Sequence, residues 1–223
     1  MRLLNKVCFA LALCGAAFTA VSASASVTDP KNGAEYTTLI TPQNTDAGKK
    51  VEVTEFFAYY CPHCYSFEPS LEAWVKKQGG NIVFKRVHVN NGPSVLPQEK
   101  LFFTLEAMGL TEQYHAKVFD AMHVQHLRLG SDEQVFDWAA SAGIDRQKFI
   151  ETYRSFGTQA RVRHGDAMMA DYKVDSWPTV AIDGRYITGP SQAGKDAKSE
   201  DELHANILKV MDFLVAKAKA EKK

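Results

Sequence analysis

The sequence predicts an α/β fold interrupted by an all-helical block, and three observations carry that prediction. A β-branched and aromatic run, Val51 to Tyr60, leads directly into helical spacing and then into a second run, Ile82 to Val89. Strand patterning then vanishes between Asn91-Gly92-Pro93 and Trp177-Pro178, where apolar residues recur at three- and four-residue steps. It returns at Thr179-Val180-Ala181-Ile182, followed by Asp183-Gly184, Arg185–Thr188 and a last helical stretch. Short apolar runs between breaks suit buried strands, while a 3.6-residue period suits one face of a helix.

The N-terminal part, Ser26 to Lys50, is polar and broken at Asp29-Pro30, Asn32-Gly33 and Thr41-Pro42, with Tyr36–Ile40 as a short edge strand. The strand at 51–58 is followed by a helix from Pro62 to about Gln78, whose buried face is Cys64, Phe67, Leu71, Trp74 and Val75. Pro62 fits the first helical turn, where an N–H is not needed. Pro69 should bend the helix, and Gly79-Gly80 ends it. With short connections, strand, helix and strand imply a right-handed βαβ unit with parallel strands. Helices are expected at Pro97–Met108, at Thr111–Met122, after the capping box Ser131-x-x-Gln134, after Asp145, and around Thr158–Tyr172. Asp183-Gly184 predicts a type I′ hairpin turn, and Gly189-Pro190 closes that unit. Ser199-x-x-Glu202 caps a final helix with the apolar stripe Leu203, Ile207, Val210 and Leu214, and lysines gather at its C-terminal end.

The first 25 residues predict a cleaved export signal. Arg2 and Lys6 precede an apolar stretch, Val7 to Ala20, and Ala23-Ser24-Ala25 supplies a small-x-small cleavage site. No basic stop-transfer cluster follows, and Leu13 before Cys14 does not suit a lipid-attachment site. Cleavage leaves 198 residues with a formal charge of −2, which offers nothing to nucleic acid or an anionic membrane. It also removes Cys8 and Cys14, so the only remaining cysteines are Cys61 and Cys64. An exported chain whose two thiols form a C-x-x-C predicts redox chemistry rather than a disulfide scaffold.

The pair stands where the strand ends and the helix begins, Cys61-Pro62-His63-Cys64, close enough to join as a disulfide. Unpaired N–H groups and the positive end of the helix dipole favour a thiolate at Cys61, and protonated His63 adds to them. A stabilised thiolate leaves readily and makes the disulfide more oxidising. Cys61 is therefore the expected exchanging sulfur and Cys64, farther into the helix, its resolving partner. A zinc site would need more ligands; the best extra pair, His123 and His126, lies in the helical block. A c-type haem site would need His after Cys64, where Tyr65 stands. His88, His115, His164 and His204 carry no functional expectation. Glu55 interrupts an apolar strand, and a carboxylate on a buried face has a raised pKa unless paired.

The stretch Glu55-Phe56-Phe57-Ala58-Tyr59-Tyr60-Cys61-Pro62-His63-Cys64-Tyr65, the helical block and Trp177-Pro178-Thr179 together resemble the DsbA-type periplasmic thiol:disulfide oxidoreductases. The resemblance implies a thioredoxin fold with an inserted helical domain: residues 26–93 and 168–223 thioredoxin-like, 94–167 the insertion, which forms one wall of the substrate surface. It implies a buried acid at Glu55 with a basic partner on the neighbouring strand, either Arg86 or Lys85. It implies a cis Pro178 facing the cysteines, where the preceding backbone pairs with an extended substrate. Trp177 departs from the family, which usually has Val or Thr there, and this bears on substrate range.

The expected site is thus Cys61, Cys64, Pro62, His63, Glu55 and Pro178, with Trp177 and Pro178 binding substrate. The expected function is donation of the Cys61–Cys64 disulfide to folding exported proteins in the periplasm by a monomer, without metal or organic cofactor. Reoxidation would come from a quinone-linked inner-membrane protein of the DsbB type. The competing readings are a reductase or isomerase, and a non-catalytic thioredoxin-like binding module.

Overall fold

A computed structural model of the chain describes residues 27–222. The expected export signal and its cleavage site lie outside the described residues. Among those described, no helix is long and apolar enough to cross a membrane.

Five strands form one mixed sheet: β1 (Thr37–Thr38), β2 (Val51–Phe57), β3 (Ile82–His88), β4 (Thr179–Ile182) and β5 (Tyr186–Thr188), in the order β1-β5-β4-β2-β3. β2 runs parallel to β3, and the remaining neighbours are antiparallel. β2 is paired on both edges and buried at every position, which is why it reads as a nearly continuous apolar run. The expected edge strand at Tyr36–Ile40 shrinks to Thr37–Thr38, and Ile40 points into solvent. Asp183 and Gly184 take φ of 52° and 66°, both left-handed as a type I′ turn requires. Gly184 is further fixed by the chain crossing over it, since a Cβ there would lie 2.2 Å from the carbonyl oxygen of Gln43.

Helix α1 (Pro62–Gln78) joins β2 to β3 and runs through Pro69. Five helices follow β3: α2 (Leu96–Ala107), α3 (Thr111–His123), α4 (Asp132–Ser141), α5 (Arg146–Arg154) and α6 (Phe156–Asp171). The expected domain boundary at 167/168 therefore falls inside one helix. Gly189-Pro190 does not simply end the hairpin but opens a short helix, α7 (Pro190–Ala193), before α8 (Glu200–Glu221). Ser131, Asp145 and Ser199 cap their helices as expected, and Ser155, which the sequence reading passed over, caps α6. The capping boxes close one residue early. Gln134 Oε1 accepts from the N–H of Gly130 at 2.8 Å, and Glu202 Oε2 from that of Lys198 at 2.9 Å.

The core has two parts. Val51, Val53, Val180 and Ile182 pack against Phe67, Leu71 and Trp74 of α1 and Ile207, Val210 and Leu214 of α8. The other part begins at Phe56, Phe57, Tyr59, Cys61 and Cys64 and continues through Phe102, Phe119, Phe136 and Tyr153 of the helical block. The C-x-x-C thus sits where the sheet and the helical block share one apolar interior.

Candidate active site

After β2 the chain turns through Ala58-Tyr59-Tyr60, and the N–H of Cys61 donates to the carbonyl of Ala58 at 3.1 Å. Cys61 is the N-cap of α1, with Pro62 in the first turn. Its Sγ accepts from the backbone N–H of Cys64 at 3.3 Å, the bond that serine or aspartate makes at an ordinary N-cap. The two sulfurs are separate thiols, Cys61 4% exposed and Cys64 fully buried. Their acidities are driven apart. The hydrogen bond from the Cys64 thiol, helped by backbone N–H groups of Cys64 and His63 and by the His63 charge, outweighs burial and lowers Cys61 to about 7. Burial, and then the neighbouring Cys61, push Cys64 far above the range of a free thiol.

Across from the thiols, the Trp177–Pro178 peptide bond is cis, and the Cys61 thiol donates to the Trp177 carbonyl at 3.7 Å. The half-buried Trp177 ring meets Tyr60 edge to face at 6.2 Å between centroids. This indole is thus a wall of the site, held by Tyr60. His63 stands largely in solvent, its Nδ1 3.6 Å from Glu200 Oε1 at the start of α8. Glu200 also accepts from Ser66 Oγ at 2.6 Å, the leading reason its carboxyl is held below the usual range.

Beneath the thiols lies a buried charge cluster. Register places Glu55 of β2 directly opposite Arg86 of β3, and Arg86 Nε donates to Glu55 Oε2 at 3.2 Å. Of the two expected candidates the partner is therefore Arg86; Lys85, on the other face, pairs with Glu52 and Asp46. Arg86 Nη2 also donates to Glu68 Oε1 on α1. Glu55 Oε1 has no hydrogen-bond partner. Burial, then the Glu68 charge, raise Glu55 to about 8 against the pull of Arg86, and its charge acts on Cys64. Glu68 is lowered: burial would raise it, but His115 and Arg86 outweigh that.

Sequence reasoning missed Glu68, His88 and His115. Glu68 follows Cys64 by one helical turn and interrupts the buried stripe of α1, a signal of the same kind as that given by Glu55. Neither histidine stands in a local pattern that sets it apart, yet both are fully buried below the thiols. His88 Nε2 accepts from the N–H of Tyr59 at 3.1 Å while Nδ1 donates to the Val89 carbonyl at 3.0 Å, and burial lowers its pKa to about 3. His123 is held by the Tyr59 carbonyl at 2.8 Å and stacks on Tyr65 with centroids 4.6 Å apart.

Comparison with known proteins places this geometry. Residues 52–207 match the model of the DSBA-like thioredoxin domain. The thiol:disulfide interchange protein DsbA of Burkholderia cepacia is 40% identical over 201 residues, covering 90% of this chain and 91% of that protein. The protein of that name from Bordetella pertussis is 34% identical over 216 residues, covering 97% of this chain and all of its own length. The crystal structure of Pseudomonas aeruginosa DsbA superposes with a TM-score of 0.77 at 33% identity, covering 85% of this chain and 94% of that one. A cysteine-capped α1, a cis-proline opposite it and a match over most of its length make this chain a member of the DsbA-like thioredoxin family.

Proposed function

We propose that this thiol:disulfide oxidoreductase works as a dithiol oxidase of exported proteins, and that Cys61 carries the mixed disulfide. A substrate thiolate attacks Cys61 Sγ, the Cys61–Cys64 bond breaks, and Cys64 leaves with the electron pair. The Cys64 thiolate takes a proton from Glu55. A second substrate thiolate then attacks the substrate sulfur of the mixed disulfide and expels Cys61 as a thiolate. The substrate gains one disulfide, losing two electrons and two protons. The enzyme holds the electrons as one thiolate and one thiol; one of the two protons restores Glu55 and the other goes to solvent.

The observation that carries this reading is the opposite treatment of the two sulfurs. Cys61 is capped by a backbone N–H and acidified, so it is a good leaving group and its thiolate stabilises the reduced enzyme. Cys64 is buried and held as a thiol once it has left, so it does not re-attack the mixed disulfide before the second substrate thiolate does. The Trp177 carbonyl beside Cys61 offers an acceptor to an extended substrate strand. Trp177 itself bounds the substrate surface on that side. The chemistry needs no metal or organic cofactor. The export signal expected in residues 1–25 supports a periplasmic setting, where a monomer would be reoxidised by a quinone-linked membrane protein of the DsbB type.

The test is to equilibrate Cys61–Cys64 with glutathione and then mix the oxidised protein with a reduced, unfolded substrate. Fast stoichiometric oxidation, lost in Cys61→Ser, is the expected outcome. A strongly reducing pair would instead assign a reductase, and absence of exchange a binding module.

A further inference from the structure

We propose that His115 is a positioning residue which fixes the site of the single proton shared by Glu55 and Glu68, holding it on Glu55, below Cys64. This deepens the reading of Glu55 as proton donor to Cys64 and rests on it. Arg86 is one cation between two buried carboxyl groups. With both ionised the cluster carries one uncompensated negative charge away from water, so one of the two holds a proton. Each acid has one oxygen without a partner, Glu55 Oε1 and Glu68 Oε2, and each takes one guanidinium bond on its other oxygen. Arg86 alone therefore distinguishes them weakly.

His115 supplies the difference. Its Nε2 stands 3.4 Å from Glu68 Oε1, close but without a hydrogen bond, and its Nδ1 lies 3.0 Å from the hydroxyl of Tyr59. The ring is buried, and burial first, with Arg86 adding to it, opposes the imidazolium against the pull of Glu68. In the neutral ring one nitrogen donates and the other accepts. A lone pair aimed at a carboxylate would be repelled, so the proton belongs on Nε2 and Tyr59 donates to Nδ1. Tyr59 thus locks the tautomer, and the Nε2 proton then stands beside the Glu68 carboxylate, where its partial charge acts without a hydrogen bond. Glu68 is favoured as carboxylate, and the proton is left to Glu55.

The groups around this arm are accounted for. Arg86 and His88 face it from β3, Glu55 and Tyr59 from β2 and the turn after it, Glu68 and Glu72 from α1, and Glu112 from the first turn of α3. Glu72 stands 4.0 Å from Arg86 Nη2 and is half-exposed. The aromatic wall of Phe57, Phe102 and Phe119 brings no hydrogen bond that competes for the imidazole.

The experiment reads the side-chain carboxyl carbons of Glu55 and Glu68 by carbon-13 NMR in the reduced full-length protein. At neutral pH the expected pattern is a protonated Glu55 and an ionised Glu68. His115→Phe keeps the aromatic packing and removes the donor; it should exchange the two signals. The limb of the thiol-acceptance pH profile due to Glu55 should then move down by about one pH unit or more, a tenfold change or more in its acidity. His115→Gln restores an N–H and should return the original pattern. Signals unchanged in His115→Phe overturn the proposal. So does nitrogen-15 NMR of the unsubstituted protein if it finds the His115 proton on Nδ1, a measurement that needs no variant to fold. If Glu55→Gln leaves the exchange rate and its pH profile unchanged while the carboxyl signals of the unsubstituted protein and of His115→Phe behave as expected, the proton-donor reading fails and the His115 assignment stands.

Discussion

Cys61 and Cys64 are one helical turn apart and have opposite surroundings. Cys61 sits outside the first turn and collects N–H groups that the helix cannot pair internally. Cys64 is already inside the helix, with its N–H spent on Cys61 and its sulfur in the aromatic core. The expected consequence is a reduced protein in which only one thiol reacts below strongly alkaline pH. Alkylation of Cys61 should rise with pH and level off above a midpoint near 7, well below the ordinary thiol value of 9.0. His63→Gln should move that midpoint up by removing a favourable charge, with Cys64 remaining unmodified. A single midpoint near the ordinary value, or modification of both sulfurs together, would contradict the geometry. The acidity of Cys61 was legible in the sequence, because a helix start follows from local patterning. The carboxylate beside His63 was not, because Glu200 comes from α8, far along the chain.

Two pairs of elements each bury an acid, for different reasons. β2 and β3 bring Glu55 to Arg86 through strand register, whereas α2 and α6 bring Glu99 to Asp166 with no cation between them. Glu99 is fully buried with neither oxygen partnered, and burial, then Asp166, raise it to about 8. For both acids the folded value lies above the ordinary 4.5. Between 4.5 and about 8 these two acids keep protons in the folded chain that they have lost in the unfolded one, so their contribution to stability falls as pH rises through that window, while His88 and Cys61, whose folded values are lowered, act in the opposite sense. Below it this contribution is fully present, and above about 8 it is gone. The change in urea midpoint from mildly acidic to mildly alkaline pH should therefore be least favourable in the unsubstituted protein, more favourable in Glu55→Gln and in Glu99→Gln, and most favourable in the double variant. Equal slopes in all four proteins would refute these protonation states. Glu55 was legible as a break in an apolar strand. Glu99 was not, because the apolar period of the helix expected at Pro97–Met108 runs through Leu101, Leu105 and Met108 and does not mark it. The helix is instead buried on nearly all sides over Pro97–Leu105, which no single-face pattern announces.

At the scale of the whole molecule the strand and helix order was legible, since periodicity, caps and breaks are local. The joining of the helical block to the site was not, because it depends on side chains that meet only in the fold. Phe57 shows the join. It ends β2, yet its ring lies 5.2 Å from Phe102, 4.9 Å from His115 and 5.8 Å from Phe119, all on α2 and α3. From there the same apolar interior reaches Phe136, Phe149 and Tyr153 on α4 and α5. A block joined to the sheet by a continuous core should not unfold alone, although it is a run of helices with capped ends. Phe57→Ala opens a cavity at this join and should cost about 3–5 kcal/mol. If the core is one cooperative unit, amide protection in β2 and in α4 and α5 should fall by the same amount, and denaturation should remain a single transition. Loss of protection confined to β2, or a second transition belonging to the helices, would show the block to be an independent body. Reactivity of Cys64 toward an alkylating agent should follow the same curve, because its burial depends on the core that this ring completes.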